Sequence, residues 1–278
     1  MIPNAITIAG SDSGGGAGIQ ADLKTFGALG IYGASVITAV TAQNTREVLA
    51  IHDVPVKMIT DQINAVFDDI RIDAVKIGML SRPAVIEAVV GALERHQAVN
   101  VVLDPVMVAK SGDKLLDDEA IDVLRERMIP MANVITPNLP EAAVLLQEPV
   151  ITTETSMAGV CERLLNMGAK WVVLKGGHLD GTNSPDLLMN SKQQWRFDAR
   201  RILTGNTHGT GCTLSSAIAS FLARGYEVPE SVSRAKRYLQ DAVTAADCLE
   251  VGKGHGPVHH FTRLWGNELV DEATNVIS

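Results

Sequence analysis

The sequence is short of cysteine and aromatic residues, and it contains no long apolar run. Its three cysteines form no CxxC pair, a pattern typical of free thiols in a reducing compartment rather than of a disulfide framework. Aromatic residues make up 4% of the chain, which leaves little for base-stacking platforms. Nothing approaches the ~20 consecutive apolar residues of a membrane helix, and the N-terminal apolar run 5–9 follows no basic residue. We therefore expect no signal peptide, no membrane span and a cytoplasmic location.

Basic residues are also in deficit. The chain has 24 Lys and Arg residues against 32 Asp and Glu residues, which gives a net charge of -8 and a pI near 5.4. A nucleic-acid surface requires clustered basic residues, so we exclude a nucleic-acid partner. If this acidic protein binds phosphate groups, it must bind them locally, with backbone amides and one or two lysines.

Short apolar runs alternate with longer amphipathic stretches through most of the chain. Each run is apolar on both faces, as strands of a covered parallel sheet are. The predicted strands are residues 5–9, 35–42, 74–77, 99–103, 133–136 and 170–174. This alternation predicts an α/β fold with a doubly wound, mostly parallel central sheet and helices on both faces.

The remaining pattern predicts helices and one hairpin. Apolar residues at helical spacing from Ile86 to Leu93 predict a helix that Pro83 opens, and a second helix ends at Gly168 as a left-handed cap. Residues 186–190 and 194–198 predict a small β-hairpin, and two long helices follow at about 210–224 and 230–250. Because no composition shift marks a linker, we expect a single domain over residues 1–278. Its ligand should lie beyond the strand carboxyl ends, where strand order reverses.

The first glycine-rich segment, residues 10–18, follows the first predicted strand. A dinucleotide-binding fingerprint would require an acidic residue at the end of the second strand, but that strand ends in the amides Gln43 and Asn44. No GxxxxGK[ST] motif occurs, which excludes a P-loop. A flexible turn without a ligand remains open, although the length of the glycine run favours close approach of backbone to a ligand.

The second glycine-rich segment, residues 205–212, stands directly before a predicted helix. The amides of Gly209, Thr210 and Gly211 would form an anion hole, because unpaired N–H groups and the helix dipole converge there. An ordinary glycine-containing N-cap is the alternative. The same dipole should lower the pKa of Cys212 by favouring its thiolate.

Further polar residues follow predicted strands. Asn138 and Glu141 could present oxygen ligands to a hydrated Mg²⁺, although for this motif on its own a simple polar turn is the better explanation. Asp104 adds a carboxylate at a strand end, and Lys175 places a cation at the same edge of the sheet.

Together these segments resemble a known family. The motifs are GSDSGGGAGIQAD (10–22), TAQNT (41–45), VKIGML (75–80), LDPVMVAKSG (103–112), TPNLPEA (136–142), VLKGGH (173–178) and THGTGCTLSSA (207–217). They are similar to those of the hydroxymethylpyrimidine/phosphomethylpyrimidine kinases of thiamine biosynthesis, in the ribokinase-like superfamily. The resemblance covers residues 5–258. It implies Mg²⁺-dependent transfer of the ATP γ-phosphoryl group to 4-amino-5-hydroxymethyl-2-methylpyrimidine and then to its monophosphate, by a homodimer.

The resemblance also implies roles for individual residues. The anion hole and catalytic centre would comprise Gly209, Thr210, Gly211 and Cys212. The pyrimidine pocket would comprise Gly10, Asp22, Gln43, Met79 and Val106. Lys175 and Thr207 would contact ATP, and Asn138, Glu141 and Asp104 would organise Mg²⁺. Sugar kinases of the superfamily end the anion hole in Asp where this chain has Cys212, so it stays open whether Cys212 is a base or only positions substrate.

Three other functions stay open. Pyridoxal kinases share the fold and most motifs, but the side-by-side donor and acceptor of Gln43 match the amino group and ring nitrogen of an aminopyrimidine better. A non-catalytic ligand-binding relative would not need the magnesium and anion-hole residues. A sugar kinase would favour Asp at position 212.

Some residues receive purely structural interpretations. Cys161 and Cys248 are expected to pack in the interior, and the pair His259 and His260 is expected at the surface. Residues 109–114, with Gly112, are the predicted closing loop.

Overall fold

The computed structural model describes residues 1–107 and 116–265, so the predicted closing loop lies outside the described residues. Strands in the described part form one sheet: β1 (Asn4–Asp12), β2 (Tyr32–Gln43), β3 (Val48–Asp53), β4 (Ala74–Ile77), β5 (Val101–Leu103), β6 (Val134–Ile135), β7 (Val172–Lys175), β8 (Asp186–Met189) and β9 (Gln194–Phe197). Their order is β3-β2-β1-β4-β5-β6-β7-β8-β9. In this order, the five neighbouring pairs β2–β1, β1–β4, β4–β5, β5–β6 and β6–β7 are parallel. The pairs β2–β3, β7–β8 and β8–β9 are antiparallel. The predicted mostly parallel sheet and hairpin are confirmed.

The helices alternate with the strands along the chain. They are α1 (Gly18–Ala28), α2 (Val56–Phe67), α3 (Pro83–Arg95), α4 (Asp118–Val123), α5 (Ile129–Met131), α6 (Leu139–Leu146), α7 (Met157–Asn166), α8 (Thr210–Ala223) and α9 (Val228–Thr244). A π-helical turn, Leu124–Met128, joins α4 to α5. The second long helix ends at Thr244, earlier than predicted, and a separate 3-10 turn, Ala246–Cys248, follows it. None of the helices in the described ranges is long and apolar enough to cross a membrane.

The sheet is covered on both faces because neighbouring strand residues point to opposite sides. Ile6 and Val75 belong to a core formed with α2, α3, α6 and α7, whereas Ala5 and Ala74 belong to a second core formed with α1, α8 and α9. All four side chains are fully buried. This two-sided burial is the physical reason why the strands show no polar face in the sequence.

The register of the parallel strands aligns their carboxyl ends. Ile8 pairs with Ile77, Ile77 with Leu103, and Leu103 with Ile135. The next residue along each strand therefore also lies in one row: the amide of Gly78 bonds to Ile8, that of Asp104 to Ile77, and that of Thr136 to Leu103. Strand order reverses at β1, which has β2 on one side and β4 on the other. This is the edge where the sequence predicts a ligand.

Strand β3 is not among the predicted strands. It is an edge strand, and none of its six residues is buried. The apolar side chains of Leu49 and Ile51 on β3 and of Val40 on β2 are 67%, 43% and 46% exposed. The strand lacks the two-sided burial that identifies the central strands, and it leaves an apolar sheet edge in contact with solvent.

Two structural interpretations of single residues are wrong and one is confirmed. Cys161 is fully buried, as predicted, but Cys248 is exposed in the 3-10 turn after α9. His259 and His260 are buried rather than at the surface. The chain after the 3-10 turn folds back over α9, where the amide of His259 bonds to the carbonyl of Ala242. This return is a tertiary contact that the local sequence does not indicate.

Candidate functional site

A cleft of about 790 Å³ runs along the carboxyl edge of the sheet. It is lined by all but one of the predicted site residues, namely Gly10, Gln43, Met79, Asp104, Val106, Asn138, Glu141, Lys175, Thr207, Gly209, Thr210, Gly211 and Cys212. The exception is Asp22: the prediction that it lies in the pocket wall is wrong. Asp22 is fully buried beneath the cleft floor.

The cleft has two ends, because the strand order separates the strands that line it. β1, β2 and β4 supply Gly10, Gln43 and Met79 at one end, and β7 supplies Lys175 towards the other. Three strand spacings of about 4.8 Å place the tips of β4 and β7 ~14 Å apart. The start of α8 lies between these ends: Gly209 packs against the Gly16 carbonyl after β1, and a Cβ atom on Gly211 would lie 3.3 Å from Asp104 and 3.4 Å from Lys175.

Asp12, at the end of β1, organises the first glycine-rich segment. Its carboxylate accepts hydrogen bonds from the amides of Gly14 (2.8 Å), Gly16 (3.1 Å) and Ala17 (2.9 Å). These amides are already satisfied by a carboxylate of the chain itself. The amides of this loop are therefore not available to bind a phosphate group. Of its glycines, Gly10 and Gly18 line the cleft, so close approach of the backbone to a ligand is expected only there.

His208 connects this loop to the second glycine-rich segment. Its Nε2 atom lies 2.9 Å from the Asp12 carboxylate. Burial by itself would raise the pKa of Asp12, but the hydrogen bonds from His208 and the backbone amides hold it below its usual value. Sequence reasoning missed both residues, although each lies inside a quoted motif.

The two glycine-rich segments touch through their backbones. Gly209 has a φ of 81°, and a Cβ atom there would overlap the carbonyl of Gly16. A Cβ atom at Gly16 would in turn overlap the His208 ring. Only glycine allows this approach, so the start of α8 is fixed against the loop that follows β1.

The N-terminus of α8 is the anion-binding feature of the cleft. Gly209 caps the helix, the first intrahelical bond runs from the Thr213 amide to the Gly209 carbonyl, and the first turn contains no acidic residue. The Thr210 amide makes a long hydrogen bond of 3.4 Å to the Thr207 carbonyl, and the amides of Gly211 and Cys212 precede the first intrahelical donor at the cleft wall. Converging N–H groups and the dipole of a 14-residue helix favour a bound anion there.

A charged cluster at the tips of β5, β6 and β7 stands beside this turn. The Lys175 ammonium lies 3.0 Å from Asp104 and 3.7 Å from Glu141. Burial by itself would lower the pKa of Lys175, but these two carboxylates raise it above the usual value. A Cβ atom on Gly211 would lie 3.3 Å from Asp104, so the cluster abuts the first turn of α8.

Within this cluster, Glu141 has a raised pKa. Burial raises its pKa to about 7; Lys175 lowers the pKa and Asp104 raises it. Its carboxylate accepts a hydrogen bond from the Asn138 amide (2.7 Å), and the Asn138 side chain accepts one from the Glu141 amide (2.8 Å). This capping box starts α6, so the polar-turn interpretation is correct at this level. In the described ranges, no three His, Cys, Asp or Glu side chains form a metal-binding group.

A buried ion pair supports the floor of the cleft. Lys76, in the middle of β4, lies 2.8 Å from Asp22, and both side chains are fully buried. Asp22 also accepts hydrogen bonds of 2.6 Å each from Thr7 and Ser216. Burial would lower the pKa of Lys76, but Asp22 chiefly raises it, so the lysine is charged. In the sequence, the signal that could have identified this buried ion pair is a lysine inside an otherwise apolar strand.

The expected lowered pKa of Cys212 is wrong. Burial raises the pKa of its thiol to about 11; Lys76 lowers it, Asp22 and Asp104 raise it, and a hydrogen bond from the Gly18 amide lowers it. Removal of the sulfur from water is the largest of these effects, and it raises the pKa. At neutral pH the side chain is a thiol, which favours a positioning role over a base.

Gln43 and Met79 shape the far end of the cleft. The Oε1 atom of Gln43 accepts a hydrogen bond from Thr41 (3.1 Å), and the Gln43 backbone is held by Ser13 through bonds of 2.8 and 2.9 Å. A Cβ atom on Gly10 would lie 2.7 Å from the methyl group of Met79, so glycine gives Met79 its space. The result is an apolar wall beside a paired amide donor and acceptor.

Three comparisons with known proteins agree with this geometry. A family model described as phosphomethylpyrimidine kinase matches residues 12–259. The chain is 54% identical over 265 residues to the hydroxymethylpyrimidine/phosphomethylpyrimidine kinase of Rhizobium meliloti, covering 95% of this chain and 99% of that protein.

Its structure is similar to the ADP complex of Bacillus subtilis pyridoxal kinase, with a TM-score of 0.87 and 36% identity over 94% of this chain and 98% of that one. It is also similar to phosphomethylpyrimidine kinase from Clostridium difficile, with a TM-score of 0.78 and 48% identity over 87% of this chain and 100% of that one. The predicted ribokinase-like fold is confirmed.

We predict that iodoacetamide will distinguish the cysteines. At pH 8 the thiolate fraction of Cys212 is about 100-fold below that of a thiol with a pKa near 9. Its greater intrinsic nucleophilicity offsets roughly tenfold of this, so alkylation should be about tenfold slower than at exposed Cys248. Peptide mass spectrometry at pH 7–10 follows each site, and the variant Cys212→Ser identifies the slow site. Alkylation of Cys212 ahead of Cys248 at pH 7 would contradict the raised pKa.

Proposed function

Because this chain belongs to the phosphomethylpyrimidine kinase family, we propose that its cleft transfers the ATP γ-phosphoryl group to the hydroxymethyl oxygen of 4-amino-5-hydroxymethyl-2-methylpyrimidine. The same cleft then phosphorylates the monophosphate to the pyrophosphate. One observation carries the assignment: the anion hole at the start of α8 lies between the Gln43 end of the cleft and the Lys175 cluster. Acceptor and donor thus meet at a site built for phosphoryl oxygens.

The pyrimidine binds at the Gln43 end. Thr41 donates to the Gln43 Oε1 atom, which leaves the second lone pair of that oxygen and the amide NH₂ group for a ligand. The amino group and adjacent ring nitrogen of the aminopyrimidine match this pair. Met79 and Val106 contact the ring faces, and Gly10 allows the ring to approach the end of β1. Asp22 acts indirectly, by holding Lys76 beneath the pocket.

Cys212 positions the acceptor hydroxyl group. Its thiol is protonated at neutral pH, because its pKa is about 11. A loose transition state leaves the proton on the attacking oxygen until late, so a positioned hydroxyl group needs little help from a base. In the reaction, a bond forms between the hydroxymethyl oxygen and the γ-phosphorus while the bond from that phosphorus to the β–γ bridging oxygen breaks, so that ADP leaves. The hydroxyl proton passes late to an oxygen of the transferred phosphoryl group and from there to water.

Fixed positive charge stabilises the transferring group. The amides of Thr210, Gly211 and Cys212 face the equatorial oxygens, and Lys175 faces the bridging oxygens of the nucleotide. Lys76 adds charge from below the cleft floor without direct exposure. These groups are held by the fold before substrate binds, so they require no reorganisation during the reaction.

The donor set is suited to a hydrated Mg²⁺. Asp104, Glu141 and Asn138 present oxygen atoms, and the single ammonium of Lys175 stands between two carboxylates, 3.0 Å from Asp104 and 3.7 Å from Glu141. A dication held through these oxygens and water ligands would supply the missing positive charge next to the nucleotide phosphates. The family's kinase activity implies ATP as the phosphoryl donor.

The adenosine part of ATP binds at the β8–α9 end. This end is lined by the apolar side chains of Ile202, Leu239 and Val243 together with Thr207. Arg200, Lys236 and Gln240 add polar groups to this apolar surface, a combination that suits a nucleobase. Sequence reasoning identified Thr207 but not the three apolar residues, because they belong to a loop and a helix that are distant in sequence.

Pyridoxal phosphorylation is the alternative within the same fold. The similarity to pyridoxal kinase of Bacillus subtilis, at a TM-score of 0.87, makes it worth testing. Pyridoxal lacks the amino group next to a ring nitrogen that Gln43 would recognise. The presence of Gln43 in the cleft therefore favours the aminopyrimidine.

The assembly is a single-domain protomer over residues 1–278 that pairs into a homodimer in the cytoplasm. The exposed apolar edge at β3, with Leu49 and Ile51, supports the dimer, because such an edge would otherwise favour unspecific strand pairing. Residues 266–278 lie outside the described part of the chain, so the domain boundary at the C-terminus rests on the sequence.

A coupled ADP-release assay tests the activity and the role of Gln43 together. Wild-type protein should turn over the aminopyrimidine and its monophosphate, and ribose should give no signal. Gln43→Leu should lower kcat/KM for the aminopyrimidine about 5- to 100-fold, because a polar edge is left unpaired. The KM for ATP should stay within twofold. Equal losses for aminopyrimidine and pyridoxal would contradict the specificity role, and faster wild-type turnover of pyridoxal would favour the alternative.

The magnesium requirement should depend on pH through Glu141. Its pKa is raised to about 7, so it is ionised above pH 7 and protonated below. The Mg²⁺ concentration for half-maximal rate should therefore rise about tenfold from pH 8 to pH 6. Glu141→Gln should show the high requirement at both pH values. A pH dependence shared by the variant and the wild type would assign the titration to another group.

The dimer should depend on β3. We expect light scattering to give twice the protomer mass of 29.6 kDa for the wild type. Ile51→Glu should weaken association at least about tenfold, because the carboxylate would be buried unpaired at the interface. Val150→Glu, at an exposed apolar residue outside β3, is the matched control. A monomeric wild-type protein, or an unchanged Ile51→Glu dimer, would rule out this interface.

A further inference from the structure

The glycine-rich segment 252–257 lies across two loops that border the cleft, and we call it the strap. It follows the 3-10 turn after α9 and is exposed apart from Gly256 and Pro257. Its residues, all in the described part of the chain, do not line the cleft. Any effect of the strap on the cleft must therefore pass through the loops that the strap contacts.

One end of the strap is bonded to Thr45, in the turn between β2 and β3. The Thr45 hydroxyl accepts hydrogen bonds from the amides of Lys253 (3.2 Å) and Gly254 (3.1 Å). The Thr45 carbonyl accepts a third from the His255 amide (2.8 Å). Three successive strap amides thus converge on one residue, two positions after Gln43.

The other end is bonded to the loop that precedes α8. The Asn206 side chain accepts from the Gly256 amide (3.1 Å), and the His208 amide donates to the Gly256 carbonyl (3.0 Å). Asn206 also donates to Asp247 (2.9 Å), next to the end of α9. The strap is therefore held by a second anchor at Asn206, three residues before Gly209.

Glycine is required where the strap approaches each anchor. A Cβ atom at Gly254 would overlap the Thr45 carbonyl, and one at Gly256 would overlap the Asn206 side chain. Gly252 has a φ of 70°, in the region that favours glycine. The strap backbone thus packs against both loops more closely than a simple surface connection would require.

We propose that Thr45 and Asn206 are positioning residues, and that the strap between them fixes the pyrimidine-binding turn relative to the anion hole. This inference rests on the proposed function, which places the acceptor at Gln43 and the transferring phosphoryl group at the start of α8. Gln43 is two residues from one anchor, and Gly209 is three residues from the other. The strap adds a second path between them, which does not pass through the Asp12 carboxylate.

The distance between these elements controls the reaction. Phosphoryl transfer depends on alignment of the acceptor oxygen with the γ-phosphorus, and small displacements cost large factors in rate. Loosening the strap at its Thr45 end should thus lower kcat for transfer, while ATP, whose proposed contact Thr207 belongs to the other anchor, keeps its affinity.

The test uses the full chain with conservative variants at Thr45. Thr45→Val removes the hydroxyl that accepts two strap amides and keeps the side-chain shape, whereas Thr45→Ser retains it. We expect Thr45→Val to lower kcat for the aminopyrimidine about tenfold, with the KM for ATP within twofold, and Thr45→Ser to restore at least half of kcat. Gly254→Ala, which displaces the strap backbone, should lower kcat further.

Thr155→Val, at an exposed threonine distant from the strap, is the matched control and should leave kcat unchanged. Rates are measured at 15 °C with the folded fraction of each variant determined by urea unfolding. A normal kcat in both Thr45→Val and Gly254→Ala would overturn the proposal, as would a loss explained by the unfolded fraction alone. A wild-type protein inactive on the aminopyrimidine would instead refute the proposed function.

Discussion

The carboxylate of Asp12 is the interaction on which the site depends. It satisfies three amides of the loop after β1 and also bonds to His208. One buried charge thereby closes the first glycine-rich loop and anchors the loop that leads into α8. Because Gly209 then packs directly on Gly16, the direction of the helix N-terminus is set from the strand side. Of these two loops, only the one at the start of α8 keeps backbone amides available for a phosphate group.

Buried charges are arranged so that an acidic protein can bind phosphate groups. Two lysines, Lys76 and Lys175, are each held by a carboxylate within 3.0 Å. Breaking either pair would leave an uncompensated buried charge, which is far costlier than the net gain from forming it. The two lysines therefore remain charged beneath and beside the anion hole. Glu141, whose pKa is raised to about 7, is the group whose charge depends on what binds next to it.

Cys212 shows two electrostatic effects in competition. The start of a helix favours a thiolate, and Lys76 acts in the same direction, but removal from water and the carboxylates of Asp22 and Asp104 prevail. Position on a helix is visible in a sequence, whereas the burial of a single sulfur atom at the helix start is not. The thiol is consequently suited to contact a substrate hydroxyl group and not to remove its proton. The chemistry at this position follows from the surroundings of the residue more than from its place on the helix.

The sequence by itself determined the parallel α/β architecture, the hairpin and the residues at the strand tips, because two-sided burial and glycine or proline at strand ends leave local patterns. It also identified Gln43, Lys175 and the turn at Gly209 through their motifs. Only the tertiary structure decided that Asp22 supports the floor rather than the wall, that Asp12 bonds to His208 and that the strap joins Thr45 to Asn206. These contacts connect residues up to 210 positions apart, as between Thr45 and His255. They depend on burial and on close backbone approach, and neither property is encoded by the spacing of residues along the chain.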